Sequence, residues 1–422
     1  NACCQWWVTT ETPSAIPNRN ETKAHTGMQI TMPEDGPDAT IGDRRKLVRR
    51  MLDAAWVDYG YTAPNNTVYP WLWLWDSCFH ALIWAELGEA ERSLAELTAA
   101  LSMQDRSGFV PHMGYQLDPA RSLELWGRRG SSSITQPPMY GHALARLIKL
   151  GIDVPGSLIE QAQSGMHFLL RRRRCDDSGL LRVVHPWETG CDDSPRWDDF
   201  CPGTSFDIER WRRFKVDVLS TIERGPDGEP LDNPAFAAAP VSFSALTAWN
   251  TLELASATGD TSLVAEANAL GEAVDARFDP ERAIWMDGGS AGNGSGRVRT
   301  SDAALGLLVS KNDSHQAAVI AALFDPGAFG GAFGPRGVHA QEPTFDPDTY
   351  WRGPVWPQLG YLLCCALTGA DAEELARRTV AGAWASGLAE YWNSDTGSAG
   401  GAVPQSWTGL ALLLEPESTT SR

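Results

Sequence analysis

Apolar residues recur at intervals of three and four along most of the chain, and this spacing predicts helices. The pattern runs through residues 45–57, 92–103, 140–150, 158–170, 241–255, 263–278, 303–309, 319–324, 355–367 and 373–384. Four junctions share one grammar, with Gly88, Gly151, Gly259 and Gly369 each followed or preceded by acidic, Ser or Thr residues. Such a glycine ends one helix in the left-handed conformation, and the polar neighbour is placed to cap the next. Repetition of that junction predicts successive αα-hairpins, and at about 35 residues per helix and loop the chain holds about twelve helices. Short hairpins are expected near residues 180–184 and 283–286, and glycine-rich loops at 287–296 and 326–337. The expected fold is therefore all-α, one toroid of helical hairpins over residues 41–414. Residues 1–40 lack periodicity and are expected to form a poorly structured extension, with residues 415–422 a flexible tail. The first residues have neither a basic start nor a continuous apolar stretch, so they do not read as a signal peptide, and Met28 is a candidate natural start.

Composition narrows the function classes. With 35 Lys and Arg against 53 Asp and Glu in 422 residues, the formal charge is 35 − 53 = −18, which repels phosphate backbones and argues against a nucleic-acid partner. No apolar run approaches the roughly 20 residues of a membrane span. Eight cysteines with no CxxC or CxxxH cluster suggest reduced thiols in a cytoplasmic protein rather than a disulfide frame or a zinc site. No metal and no cofactor is expected, and oligomeric state is not legible. The informative excess is 18 Trp beside only 8 Tyr, since indole faces fill cores and also stack on sugar rings.

Function in a helical toroid must come from loops at one end of the inner helices. Five segments mix aromatics, carboxylates, Gly and Pro as neither a core nor a solvated face would. They are YPWLWLWDS (69–77), SSSITQPP (131–138), HPWETGCDDSPRWDD (185–199), DTYWRGPVWP (348–357), and AEYWNSDTG (389–397) with VPQSW (403–407). In the first, an extended backbone puts Trp71, Trp73 and Trp75 on one face, and Asp76 can cap a helix or accept hydrogen bonds from sugar hydroxyls. The third gathers Glu188, Asp192, Asp193, Asp198 and Asp199 with Arg196 as counter-charge. Crowded carboxylates raise one another's pKa and can keep one protonated as a general acid, although a solvated loop or a calcium site uses the same residues.

Together these segments resemble glycoside hydrolase family 63, in particular its compact bacterial members acting on mannosylglycerate or glucosylglycerate. The resemblance spans residues 69–407. Tyr69-x-x-x-Trp73-x-Trp75-Asp76 is similar to the family's Y-x-x-x-W-x-W-D, and Ile134–Pro138 to its I-T-Q-P-P. Glu188-Thr189-Gly190-Cys191-Asp192, with Ser194–Trp197, resembles E-S-G-x-D-x-S-P-R-W. Tyr350–Pro357 matches Y-W-R-G-P-V-W-P without change, and Glu390-Tyr391 with Gln405-Ser406-Trp407 resembles the E-Y…Q-S-W ending. The resemblance implies an (α/α)₆ barrel and an inverting α-glycosidase acting on a small carbohydrate, with Asp192 as general acid and Glu390 as general base. It also implies sugar binding by Tyr69, Trp73, Trp75, Asp76, Gln136, Trp187, Gly190, Tyr350, Trp351, Trp356 and Gln405. Glycoside hydrolysis needs one protonated carboxyl and one carboxylate for water, which agrees with that pair.

Residues 198–242 do not align with the family's tract for a glycerate carboxylate. Arg210, Arg212 and Arg213, or Arg128 and Arg129, could supply the missing cation. Failing that, the substrate is a neutral disaccharide or oligosaccharide of the trehalase or debranching type. A non-catalytic sugar-binding toroid and an isoprenoid cyclase are the other classes, and the absence of DxDD and DDxxD in DDSPRWDD counts against the second.

Overall fold

The structure, a computed structural model, describes residues 40–201, 203, 206–289 and 298–415. Most of the predicted extension 1–40, the core of the glycine-rich loop 287–296 and all of the tail after residue 415 lie outside the described residues. Chain order alternates between an outer and an inner layer. Helix α1 (Ile41–Ala55) is outer, α2 (Leu74–Glu86) inner and α3 (Ala90–Leu101) outer, followed by a short insertion, α4 (Ser122–Trp126). The alternation continues with α5 (Tyr140–Lys149) inside and α6 (Gly156–Arg172) outside. After a second insertion, α7 (Ile208–Leu219), α8 (Val241–Thr258) is inner and α9 (Val264–Asp275) outer. The 3₁₀ segment Ser301–Leu308 is inner, α10 (Asp313–Phe324) outer, α11 (Pro357–Ala366) inner and α12 (Gly369–Ala385) outer. The 3₁₀ turn Ser406–Leu410, continued by α13 (Ala411–Leu414), is the last inner element.

The inner six close a ring. α2 packs on α5, α5 on α8, α8 on Ser301–Leu308, that segment on α11, α11 on Ser406–Leu410, and the last returns to α2. Six inner and six outer segments make the (α/α)₆ barrel. Sequence character sorts the layers. α1 buries a single stripe of Leu47, Val48, Met51, Leu52 and Ala55, as an amphipathic outer helix must, whereas α2 buries every residue from Leu74 to Trp84. No helix among the described residues is long and apolar enough to cross a membrane.

Several local expectations change. The predicted helix at 303–309 is a 3₁₀ segment, the tighter form suited to a short piece wedged between two inner helices. The four junction glycines do adopt positive φ, but α3, α6, α9 and α12 have no side-chain N-cap hydrogen bond. Gly369 also heads α12 rather than ending α11. Residues 180–184 make single bridges to Cys175 and Ala238 instead of a hairpin, while Ile284–Trp285 does pair with Phe278–Asp279. The loop 326–337 contains a two-residue ladder between Gly330–Gly331 and Gly334–Pro335. Glu415, placed in the tail by sequence, accepts hydrogen bonds from Arg44 and from the Trp384 indole, both at 2.9 Å.

Candidate active site

The five motif loops meet over one end of the ring around a cavity of about 970 Å³, open mouth included. Asp192 and Glu390, 198 residues apart in sequence, both line it. So do Tyr69, Trp73, Trp75, Asp76, Gln136, Trp187, Gly190, Tyr350 and Gln405. Loop identity follows from local chemistry. The Leu72–Trp73 strand pairs with Met113–Gly114 and hands over to α2 at Leu74. That change of backbone breaks the expected alternation: Trp73 and Trp75 face the cavity, but Trp71 packs on Tyr115 at 4.9 Å. Asp76 is not the N-cap but the third residue of α2. The amide of Trp75 donates instead to Gln136 Oε1 at 3.3 Å, so one motif loop caps the helix carrying another.

The carboxylates of residues 185–199 are sorted by their partners. Glu188 is fully buried and accepts from Arg173 at 2.9 and 2.5 Å, from the Thr135 amide at 3.1 Å and from the Val184 amide at 2.8 Å. It is a structural anion that stitches the ITQPP loop to the ETGCD turn. Asp193 pairs with Lys215 at 2.5 Å and accepts from the Trp211 indole at 2.7 Å. Asp198 pairs with Arg352, which joins this loop to YWRGPVWP, and Asp199 is exposed. The counter-charges are therefore Arg173, Lys215 and Arg352. Arg196, expected to serve the loop, reaches away to Asp287 and Asp302. Asp192 is left facing the cavity, with a hydrogen bond to Tyr350. Burial is the largest influence on it and pushes its pKa up to about 8, against the opposing pull of Lys215.

Glu390 lies beyond α12, immediately before the Tyr391–Trp392 strand. Its backbone amide bonds to the Ala402 carbonyl at 2.8 Å. Its carboxylate accepts from the Tyr69 hydroxyl at 2.8 Å and the Ala402 amide at 2.9 Å. Burial raises it to about 7, and these two donors hold it below Asp192. Asp76 is raised well above the ordinary carboxylate range, chiefly by burial and further by Glu390. His112 also lines the cavity, but burial lowers its pKa to about 3 and keeps it neutral. Asp192 and Glu390 are thus the lining carboxyls raised into the range where proton transfer near neutral pH is effective.

Two expected sugar-stacking residues are elsewhere. Trp351 and Trp356 stack on each other at 3.6 Å and 6° between rings, are 4% and 1% exposed, and do not line the cavity. Their packing explains the miss: they form a wall behind Tyr350, whose ring lies 5.2 Å from Trp356. Among the candidate cations, Arg213 and Arg129 are exposed, Arg128 pairs with Asp105, and Arg210 lies outside the lining, whereas Arg212 lines the cavity. Its Nη1 donates to Glu209 at 2.6 Å, while the buried Nε and Nη2 have no acceptor among the described residues. Sequence reasoning missed Lys215, Val216, Leu125, Pro64, His112 and Trp407 in the lining. Spacing on α7 was the available signal, because residues 212, 215 and 216 share one helical face.

A family model, the mannosylglycerate hydrolase MGH1-like glycoside hydrolase domain, matches residues 69–408. Mannosylglycerate hydrolase MGH2 of Selaginella moellendorffii is 27% identical over 84% of this chain and 82% of its own length. The glucosylglycerate hydrolase of Mycolicibacterium hassiacum is 28% identical over 83% of this chain and 93% of its own. In fold, the chain is similar to the crystal structure of a GH63 mannosylglycerate hydrolase from Thermus thermophilus, with TM-score 0.77, 23% identity, and 88% and 99% of the two chains covered.

Proposed function

The chain belongs to the mannosylglycerate hydrolase MGH1-like glycoside hydrolase family, and from that premise we propose an inverting α-glycosidase whose substrate is a small α-glucoside or α-mannoside of glyceric acid. The enzyme class is a glycoside hydrolase, which leaves the cyclase and non-catalytic alternatives without support. The observation that carries the finer proposal is the convergence of Asp192, Glu390 and Arg212 on one cavity. Asp192, the carboxyl with the higher pKa, protonates the glycosidic oxygen. Glu390, oriented by Tyr69 and Ala402, takes a proton from the attacking water. In an inverting site water sits between two carboxyl groups roughly 6.5–9.5 Å apart and attacks the face opposite the leaving group. Trp73, Trp75 and Trp187 offer apolar faces to the pyranose, and Asp76, Gln136 and Gln405 accept or donate to its hydroxyls. Residues 41–414 act as one catalytic domain. The six free cysteines among the described residues support a cytoplasmic location.

Arg212 supports the acidic aglycone. Its Nε–Nη2 edge is the side of a guanidinium that meets both oxygens of a carboxylate in parallel, and Nη1 is already held by Glu209. A hydrogen bond to a charged group contributes about 1.5–3 kcal/mol, or roughly 10–150-fold. Arg212→Met should therefore reduce kcat/KM for glucosylglycerate or mannosylglycerate by about that factor and leave a neutral methyl α-glycoside little changed. An unchanged ratio between acidic and neutral substrates would transfer the proposal to a neutral disaccharide.

A further inference from the structure

Asp193 and Lys215 form a buried ion pair one residue along the chain from Asp192, and nothing in hydrolysis by two carboxyl groups requires it. Asp193 is 1% exposed and Lys215 3% exposed. Around the pair lie the Trp211 indole, donating to Asp193 at 2.7 Å, and the Trp187 ring, 5.5 Å from Lys215 Nζ. His185, kept neutral by burial, contacts the Lys215 carbonyl at 2.8 Å. Lys215 also lines the catalytic cavity with Asp192, and its ammonium pairs with Asp193. Burying both charges is costly unless they remain paired, so such a pair is weak evidence for stability alone.

We propose that Asp193 and Lys215 are positioning residues that act on Asp192 as a balanced pair, setting the pH range over which the general acid keeps its proton. This deepens the assignment of Asp192 as the acid and rests on it. The groups facing Asp192 are Asp193 from its own loop, Lys215 from α7, Tyr350 from the YWRGPVWP loop and Glu390 from the segment after α12, with Arg212 on the same wall. Lys215 lowers the Asp192 pKa, and Asp193 and Glu390 raise it. A lone ammonium beside Asp192 would take it as counterion and leave no proton for the leaving group. Asp193 claims that ammonium and prevents this.

The test is the alkaline limb of kcat/KM against pH in the full-length enzyme. Asp193→Asn removes a negative charge beside Asp192 and leaves the Lys215 charge unneutralised by Asp193, so the limb moves down by about one unit or more, within the range a neighbouring charge imposes. Lys215→Met removes the cation paired with Asp193, so the limb moves up and activity at high pH is retained. Lys215→Gln, which still donates to Asp193, replaces it if the methionine variant does not fold. Opposite displacements by the two partners are the expected result. A pair with only a structural role would lower the melting temperature in both variants and leave the limb in place, and that result overturns the proposal. Asp192→Asn is measured alongside: retained turnover there would refute the acid assignment itself, independently of the pair.

Discussion

The proposed mechanism needs Asp192 and Glu390 in opposite protonation states at the same pH, and their surroundings differ in that sense. Activity in the proposed mechanism rises as Glu390 ionises near 7 and falls as Asp192 ionises near 8, which gives a narrow bell with its maximum between them. Asp192→Asn removes the proton donor and Glu390→Gln the base, and each should lower kcat by about 10²–10⁴ with helicity retained by circular dichroism. The same burial has a consequence for stability. A carboxyl whose folded pKa is raised above its unfolded value, about 4, costs the folded state progressively as pH rises between the two values. Asp192→Asn should therefore match the wild type in melting temperature near pH 4. It should gain stability up to about pH 8 and hold that gain above, by about 1–3 °C. A thermal melt series in which the variant is less stable at pH 9 would contradict the placement of this carboxyl in a desolvated site.

At the scale of elements, the motif loops are held to one another by buried anions and by close backbone approaches. Gly401 has φ +71°, and a Cβ there would stand 2.2 Å from Glu390 Oε2. Gly190 has φ +73°, and its Cβ would stand 2.2 Å from the Trp75 ring. Neither position tolerates a side chain without moving a cavity residue. Gly401→Ala should displace the Glu390 carboxylate and lower kcat by about 10²-fold, the scale of a misplaced catalytic group, with much less effect on the fold. Normal kcat in that variant would mean Glu390 does not need its present position. Much of this layer was legible only in part. Trp73, Trp75, Asp76, Gln136 and Gln405 stood out because aromatics mixed with carboxylates and amides suit neither core nor solvent. The partners of Glu188 and Asp193 did not. Arg173 closes α6 and Lys215 lies inside α7, where basic residues ordinarily face water, and nothing in their spacing reveals a turn brought in from another loop. Trp351 and Trp356 misled for the converse reason, since a tryptophan in a motif loop looks the same whether it meets a sugar or a second indole.

At the scale of the whole molecule, closure of the ring is what turns five separate loops into one site. Helical periodicity and the repeated glycine junctions made ten segments and the hairpin pattern visible, and length per helix gave about twelve. Two inner elements, α2 and Ser406–Leu414, escaped that periodicity because α2 is buried from Leu74 to Trp84 with no polar face and the other is a short turn. Which loops would meet was not visible in that periodicity, since ring closure joins α2 to Ser406–Leu410 across most of the chain. The net charge of −18 acts at this scale too: it would oppose the acidic substrate proposed above, and in that proposal Arg212 supplies the local attraction that offsets it. All of these levels bear on the single event of the proposed mechanism, the attack of a water held by Glu390 on the face opposite a leaving group protonated by Asp192. Proton NMR of the first sugar released from α-glucosylglycerate or α-mannosylglycerate observes that event directly. The β-anomer should appear first and mutarotate afterwards. Initial α-anomer would require a covalent intermediate, and no released sugar from either substrate would remove glyceric acid glycosides from the proposed function.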